Sequence, residues 1–407
     1  MGVTDKRKKP ENIIAWLWMA AGYIWNVWYY IFRGKLRVDS DMASEIILAD
    51  ILNKEHSVLG LTTDWSYSTE LRFLHMQWFY RLGLLLSPHN WHVARTISMM
   101  LALLLLAYAV WFVFHAAGIK KWGIYAAAFC LFPGGNWYFW QTLYGGFYLP
   151  YIYISLFTLA FILLVSKDRK ALKSKIFIAL ILLLGFASGV NGIKQLMVFY
   201  VPLVLAALLV FGVEIREKYK GKAPDRKMFG LESFRYLFLA MVGTVASMAG
   251  YMVNLKLLSA VFRFRSYESS VIMPDDFLWM LKLYIWSFGF IGGKPLLSVS
   301  GIASMSGVVF GLLVMFAGIR VMFRFASLSV GERLFASAAV CSILGNTFIF
   351  SYISGGSAQY FQPTLPMGIL LVVLEIKTED FTFEISRDIV GNLALFILLV
   401  ASVGTVI

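Results

Sequence analysis

The sequence predicts an all-α protein threaded many times through a membrane, and three observations predict it. Hydrophobic residues make up 59% of the 407 residues and charged residues only 14%, far from the usage of a soluble domain. The apolar residues gather in runs long enough to cross a hydrocarbon layer of about 30 Å. The 36 Lys and Arg residues cluster in the connections between those runs, and mainly in alternate connections.

Nine runs stand out, near 13–33, 93–117, 147–166, 176–191, 195–213, 234–256, 301–323, 334–353 and 388–407, and shorter ones lie near 122–132 and 364–376. Together they give about 11 transmembrane helices. The first run is too long for a signal peptide and lacks a small-residue cleavage site, so it should remain as an anchor. Lys6, Arg7, Lys8 and Lys9 precede it. Counting eleven spans puts Lys120–Lys121 and the clusters at 167–175, 216–227, 320–333 and 377–387 on the same side. That side holds most of the basic residues and should be cytoplasmic, with the N-terminus. The net charge of +13 then records topology and attraction to anionic lipid. No basic stripe sits on a soluble domain, so no nucleic-acid partner is expected. No repeat or linker divides residues 1–407, and one membrane domain in a multi-pass plasma-membrane protein is expected. The chain ends inside an apolar run at Ile407, which leaves room for a further external domain.

Two external loops are long, about 34–92 and 257–300. Long loops in compact proteins are usually functional or structured. Residues 41–54, 69–86 and 274–290 read as aromatic, amphipathic helices lying in the headgroup plane. The first of them opens with Asp39-Ser-Asp41-Met-Ala-Ser-Glu45, three carboxylates beside a span. Asp41, Ser44 and Glu45 share a face by the 3.6-residue period, continued by Leu48 and Leu52. Helix capping accounts for one or two of these acids. Their placement suits a catalytic or substrate-binding carboxylate, and different members can do both.

Elsewhere, Ser188-Gly-Val-Asn191-Gly192 breaks the chain between two spans, and such breaks are tolerated where backbone lines a cavity. This singles out Asn191, Lys194 and Gln195 for binding. Arg263 and Arg265 also face outward, and Lys294 with them. A strand would put the two arginines on one face, a helix would splay them, and snorkelling to headgroups is the alternative role. The aromatic segment from Phe132 to Tyr148 fits either sugar stacking or an interfacial belt. Cys130 and Cys341 lie in spans as small hydrophobes, and the five His residues show no ligand spacing. Neither metal nor other cofactor is expected.

A span, an acidic motif opening a large loop with interfacial helices, then many more spans: this resembles the GT-C superfamily of membrane glycosyltransferases. The group includes protein O-mannosyltransferases and aminoarabinose transferases of bacterial envelopes. The likeness covers the architecture of the whole chain. At residue level it is concentrated in Asp39–Glu45, in the following stretch through Asp64-Trp65-Ser-Tyr67-Ser-Thr-Glu70, and in Gln359-Tyr360-Phe-Gln-Pro. Gln359 stands where relatives often have Arg, and Asp-Ser-Asp stands in place of an Asp-Glu pair. The resemblance implies a donor sugar on a polyprenyl phosphate, hexosyl or pentosyl transfer, and a glycan, glycolipid or protein acceptor, with membrane lipids as surroundings. It implies catalytic Asp41, Asp39 and Glu45, and substrate contacts from Asp64, Trp65, Tyr67, Tyr360 and Gln359. The chemistry is coherent. Sugar transfer to a hydroxyl needs a carboxylate for the acceptor proton, and a departing lipid phosphate needs cationic partners, for which Lys194, Arg263 and Arg265 are candidates. A lipid or polysaccharide flippase, or an envelope polymer polymerase or ligase, is the alternative. Intramembrane ionisable residues and inverted repeats would mark a transporter.

Overall fold

The computed structural model describes residues 13–68, 71–132, 134–167, 171–219, 226–264, 277–353, 358–378 and 387–406. Every one of the apolar runs is helical. α1 spans Ile13–Phe32, α2 Ser40–Lys54, α3 Gln77–Leu86, α4 Trp91–Ala117 and α5 Lys120–Leu131. A single turn, Asn136–Tyr138, then runs into a π-helical stretch, Phe139–Tyr144. α6 covers Leu149–Lys167, α7 Ala171–Asn191, α8 Val201–Tyr219, α9 Glu232–Val253, α10 Phe277–Trp286, α11 Val299–Phe323, α12 Val330–Ile353, α13 Leu365–Thr378 and α14 Arg387–Val406. Among the described residues, six helices are long and apolar enough by themselves to cross a membrane, namely α4, α6, α7, α8, α9 and α11 with their π-helical extensions. This is a multi-pass membrane protein.

The core lies where α4, α5 and α6 meet α12 and α13. Tyr125, Phe129, Phe114 and Phe335 are sealed there, and Phe114 meets Phe335 edge to face at 5.2 Å. α6, like α13, is buried along most of its length. Its composition, apolar on all sides, is what a central helix requires. α7 and α9 pack backbone to backbone. A Cβ on Gly189 would fall 1.9 Å from the Ser247 carbonyl oxygen, and one on Gly250 2.1 Å from that of Phe186. Small residues allow such approach, the usual basis of helix association in lipid.

At one end of the bundle, ion pairs join the helix termini: Arg333–Glu217 at 2.8 Å, Lys377–Glu332 at 2.5 Å and Arg320–Glu375 at 3.2 Å. At the other end lie α2, α3 and α10. Here the described part of the long loops departs from expectation in two respects: α10 stops at Trp286, short of the expected 290, and the start of α3 differs more. The stretch expected to be helical from 69 is helical only from Gln77. Residues 71–74 are held in a bent, non-helical course by Asn191 instead. Its backbone oxygen accepts the Leu71 N–H at 3.2 Å, its Oδ1 accepts the Leu74 N–H at 3.0 Å, and its Nδ2 donates to the Leu74 carbonyl at 3.2 Å. Arg72 in between has φ +58°, a conformation that helix does not allow.

A two-residue parallel ladder, β1 (Ser66–Tyr67) with β2 (Arg263–Phe264), ties the first long loop to the second. Beneath it a small second core forms from Leu48, Leu52, Tyr67, Leu71 and Val190. Leu48 and Leu52 seat α2 on this second core, while Met42, Ile46 and Ala49 on its neighbouring face dock it into the main core.

Candidate functional site

The first turn of α2 carries the acids, and each has a different setting. Asp39 is the N-cap: its Oδ1 accepts the Met42 N–H at 2.8 Å. Capping is therefore observed for this residue, while its side chain stays exposed at the surface. Asp41, in the first helical turn, is exposed too, and among the described residues its side chain has no partner, while its backbone oxygen accepts the Ser44 hydroxyl at 2.7 Å. Glu45, one turn on, is fully buried. It forms an ion pair with Arg72 and faces His75, whose Nδ1 is 3.5 Å from Oε2. That separation is long for a hydrogen bond, so the contact is electrostatic. Burial pushes the Glu45 carboxyl up, but Arg72 and His75 together outweigh it and hold the group below the usual carboxylate range. The face shared by Asp41 and Glu45 thus turns from solvent to interior within one turn.

From Glu45 the arrangement continues inward. The His75 ring meets Tyr151 edge to face at 6.5 Å. Tyr151, Tyr148 and Tyr360 surround the Lys194 ammonium, which lies 4.9, 4.6 and 5.9 Å from their ring centres. Lys194 is half-buried in this cage, where ring faces favour its charge. Gln195 steadies the turn below by donating to the Tyr151 carbonyl at 3.0 Å and to Ser155 Oγ at 2.8 Å. Asn346 of α12 secures the Tyr360 segment, donating to the Tyr360 carbonyl at 3.1 Å.

The other flank of the α2 tip carries a second cationic cluster. Arg95 on α4 is buried, and its Nη2 donates to the Tyr144 carbonyl at 2.5 Å and touches Met42 Sδ at 3.3 Å. Its guanidinium lies 4.3 Å from the centre of the Tyr144 ring. Among the described residues no carboxylate pairs with it. Tyr144 stacks on Tyr30 and donates to the Gly34 carbonyl at 2.8 Å. Arg37 lies over Trp140 at 5.9 Å. Beside it a cleft of about 580 Å³ opens at the end of α1.

The residues expected to contact substrate divide into two groups. Lys194 and Tyr360 come together, with Gln195 immediately below. Asn191 spends its whole amide on the 71–74 segment, and Tyr67 is buried with its hydroxyl accepting the Thr62 N–H at 3.1 Å; both are braces for the site. Trp65 packs on the second core, and Asp64 is exposed with its N–H on Thr62 Oγ1 at 3.1 Å. Arg263 is exposed on β2 opposite Ser66, so the strand alternative holds at that position. Arg265 and the Gln359 side chain lie outside the described residues. Sequence reasoning passed over Arg72, His75, Arg95 and Tyr151, while Tyr360 and the segment ending at Tyr148 were among its candidates. Arg95 carried a signal, being a charge within an apolar run; Arg72 and His75 carried none. Among the described residues, no three His, Cys, Asp or Glu side chains gather as metal ligands would.

No family model and no curated protein matches the sequence. Solved structures do match. ArnT from Cupriavidus metallidurans bound to undecaprenyl phosphate superposes with a TM-score of 0.54 at 14% identity, over 96% of this chain and 75% of that one. Its apo form gives 0.53 at 13% identity, over 96% and 74%. The oligosaccharyltransferase of Archaeoglobus fulgidus in its apo form gives 0.53 at 12% identity, over 97% of this chain and 55% of that one. The chain has the GT-C fold.

Proposed function

We propose that this protein is a membrane glycosyltransferase that moves a sugar from a polyprenyl-phosphate donor to a hydroxyl of a cell-envelope acceptor at the outer face of the plasma membrane. The observation that carries the reading is an acid-tipped interfacial helix joined, through Glu45, Arg72 and His75, to a lysine in a cage of three tyrosines. The fold supports the choice of donor, since ArnT of the same fold holds undecaprenyl phosphate.

In this reading Asp41 accepts the acceptor hydroxyl proton as the new bond to the anomeric carbon forms. Asp39 is next to it in importance, with one oxygen capping the helix. The bond from the anomeric carbon to the phosphate oxygen breaks, and the phosphate leaves with the electron pair. Lys194 meets its charge, in surroundings where an ionic hydrogen bond is stronger than in water. The tyrosine rings suit the apolar faces of the sugar. Arg263 extends the positive rim, with Arg265 two residues on. Glu45 supports by fixing Arg72 and His75.

Lys194→Gln should raise the KM for donor by about ten- to a hundredfold, the value of one charge-assisted hydrogen bond, with the acceptor KM little changed. Equal effects on both substrates would remove Lys194 from the donor site. Transfer should persist in EDTA. Loss in EDTA with recovery in Mn²⁺ or Mg²⁺ would replace this account with a cation at Asp39 and Asp41.

The orientation rests on the basic residues, which favour a cytoplasmic N-terminus. In intact cells an impermeant thiol reagent should label Ser57→Cys, whereas Gly221→Cys should react only after permeabilisation. The reverse pattern would invert the protein and its site.

A further inference from the structure

The cleft at the end of α1 takes no part in the chemistry above, and it lies across the α2 tip from Lys194. Trp25, Trp28 and Tyr29 of α1 form one wall, Val403 of α14 closes the opposite side, and Arg33 and Arg37 stand at the rim. Both arginines are exposed. Among the described residues neither is in an ion pair. The Trp25 indole N–H, in the wall, meets no acceptor. Trp28 is 42% exposed, one turn from the exposed Ile24 and Ile31, so the cleft borders the apolar outer face of α1, the face that meets lipid. Arg37 stands two residues before the capping Asp39.

We infer that this cleft seats the acceptor, and that the acceptor is a lipid with a phosphate-bearing head group. The inference rests on the transferase reading for the word acceptor, and on the cleft for the chemistry. Aromatic walls opening sideways suit a hydrocarbon chain, and two guanidinium groups at its polar end suit phosphate, which each can grip through two oxygens. A polypeptide or free glycan would gain nothing from an opening on the bilayer. The lipid would enter between α1 and α14, place its phosphate at Arg33 and Arg37, and leave a head-group hydroxyl near Asp39 and Asp41. Donor and acceptor then approach the α2 tip from opposite flanks.

The test uses the whole protein in phosphatidylcholine nanodiscs containing a trace of photoreactive lipid, with labelled peptides mapped by mass spectrometry. Diazirine-phosphatidic acid should label the 25–37 segment about tenfold more than diazirine-phosphatidylcholine, the size expected for a charge-assisted contact. The double substitution Arg33→Gln with Arg37→Gln should bring the two lipids level, and Arg33→Lys with Arg37→Lys should keep most of the preference. Equal labelling by both lipids in the wild type would overturn the proposal, leaving two snorkelling arginines in an aromatic belt. So would suppression by millimolar inorganic phosphate, which indicates a site for the free ion. Preferential labelling of this segment by a diazirine-undecaprenyl phosphate would assign the cleft to the donor instead. That same probe is expected around Lys194. Its failure there, with phosphatidic acid still selective at the cleft, would sink the transferase reading and spare the lipid site.

Discussion

Asp41→Asn should lower the rate of sugar transfer by roughly 10²–10⁴, the usual contribution of a general base, with protein yield unchanged. Asparagine keeps the size and much of the hydrogen bonding but cannot take a proton. Asp41 is the one acid of the motif whose side chain is both exposed and uncommitted to a cap or a buried pair. The substitution leaves the Asp39 cap intact, so α2 keeps its start. Asp39→Asn should be milder, because asparagine is as good an N-cap as aspartate. A purified Asp41→Asn protein with wild-type rates, beside a crippled Asp39→Asn, would move the base to Asp39.

The second large effect concerns stability. Glu45→Gln should destabilise the protein by about 3–5 kcal/mol, the cost of removing one partner from a buried ion pair. Arg72 would then face His75 without the Glu45 charge that pairs with both. Thermal unfolding in detergent is the measurement, and an unchanged midpoint would show the pair to be dispensable. Glu45→Met with Arg72→Met should cost less than Glu45→Gln alone, since two apolar side chains can replace a buried pair at little cost. The pH dependence follows from the lowered carboxyl. A group whose folded pKa lies below its unfolded one stabilises the fold above the unfolded value and loses that contribution as pH falls through the folded value. Acidification below the ordinary carboxylate range, about pH 4, should weaken the wild type more than Glu45→Gln.

Sequence periodicity located every helix of the bundle because hydrocarbon length and hydrophobicity are local properties. It located the start of α2 for the same reason, since Asp39 and Asp41 announce a helix N-terminus in their own chemistry. It placed Glu45 beside Asp41, which is correct along the helix, yet it could not show that the bundle closes over one and leaves the other in water. That outcome depends on Arg72 and His75, which reach Glu45 across a segment bent by Asn191 from the far end of α7. Residues 71–76 have the composition of the helix that follows them, and the Asn191 clamp holds Leu71 and Leu74 outside it. The cage around Lys194 is likewise assembled from α6, the turn after α7 and the segment before α13, three places with no common period. Arg95 could have been found, as a charge inside a span. Its partner, the Tyr144 carbonyl, could not.

The short ladder between Ser66 and Arg263 also sets an order of manufacture. A ribosome working at ~5–20 residues per second makes the second strand roughly 10–40 s after the first. For that interval the acid-bearing loop has no strand to pair with, although Asn191, made earlier, can already grip residues 71–74. The loop is therefore fastened in two stages, first by a side chain and then by a backbone. A nascent chain stopped between Asn191 and Arg263 would carry the acids with only the first fastening, and one stopped before Tyr360 would still lack a wall of the Lys194 cage.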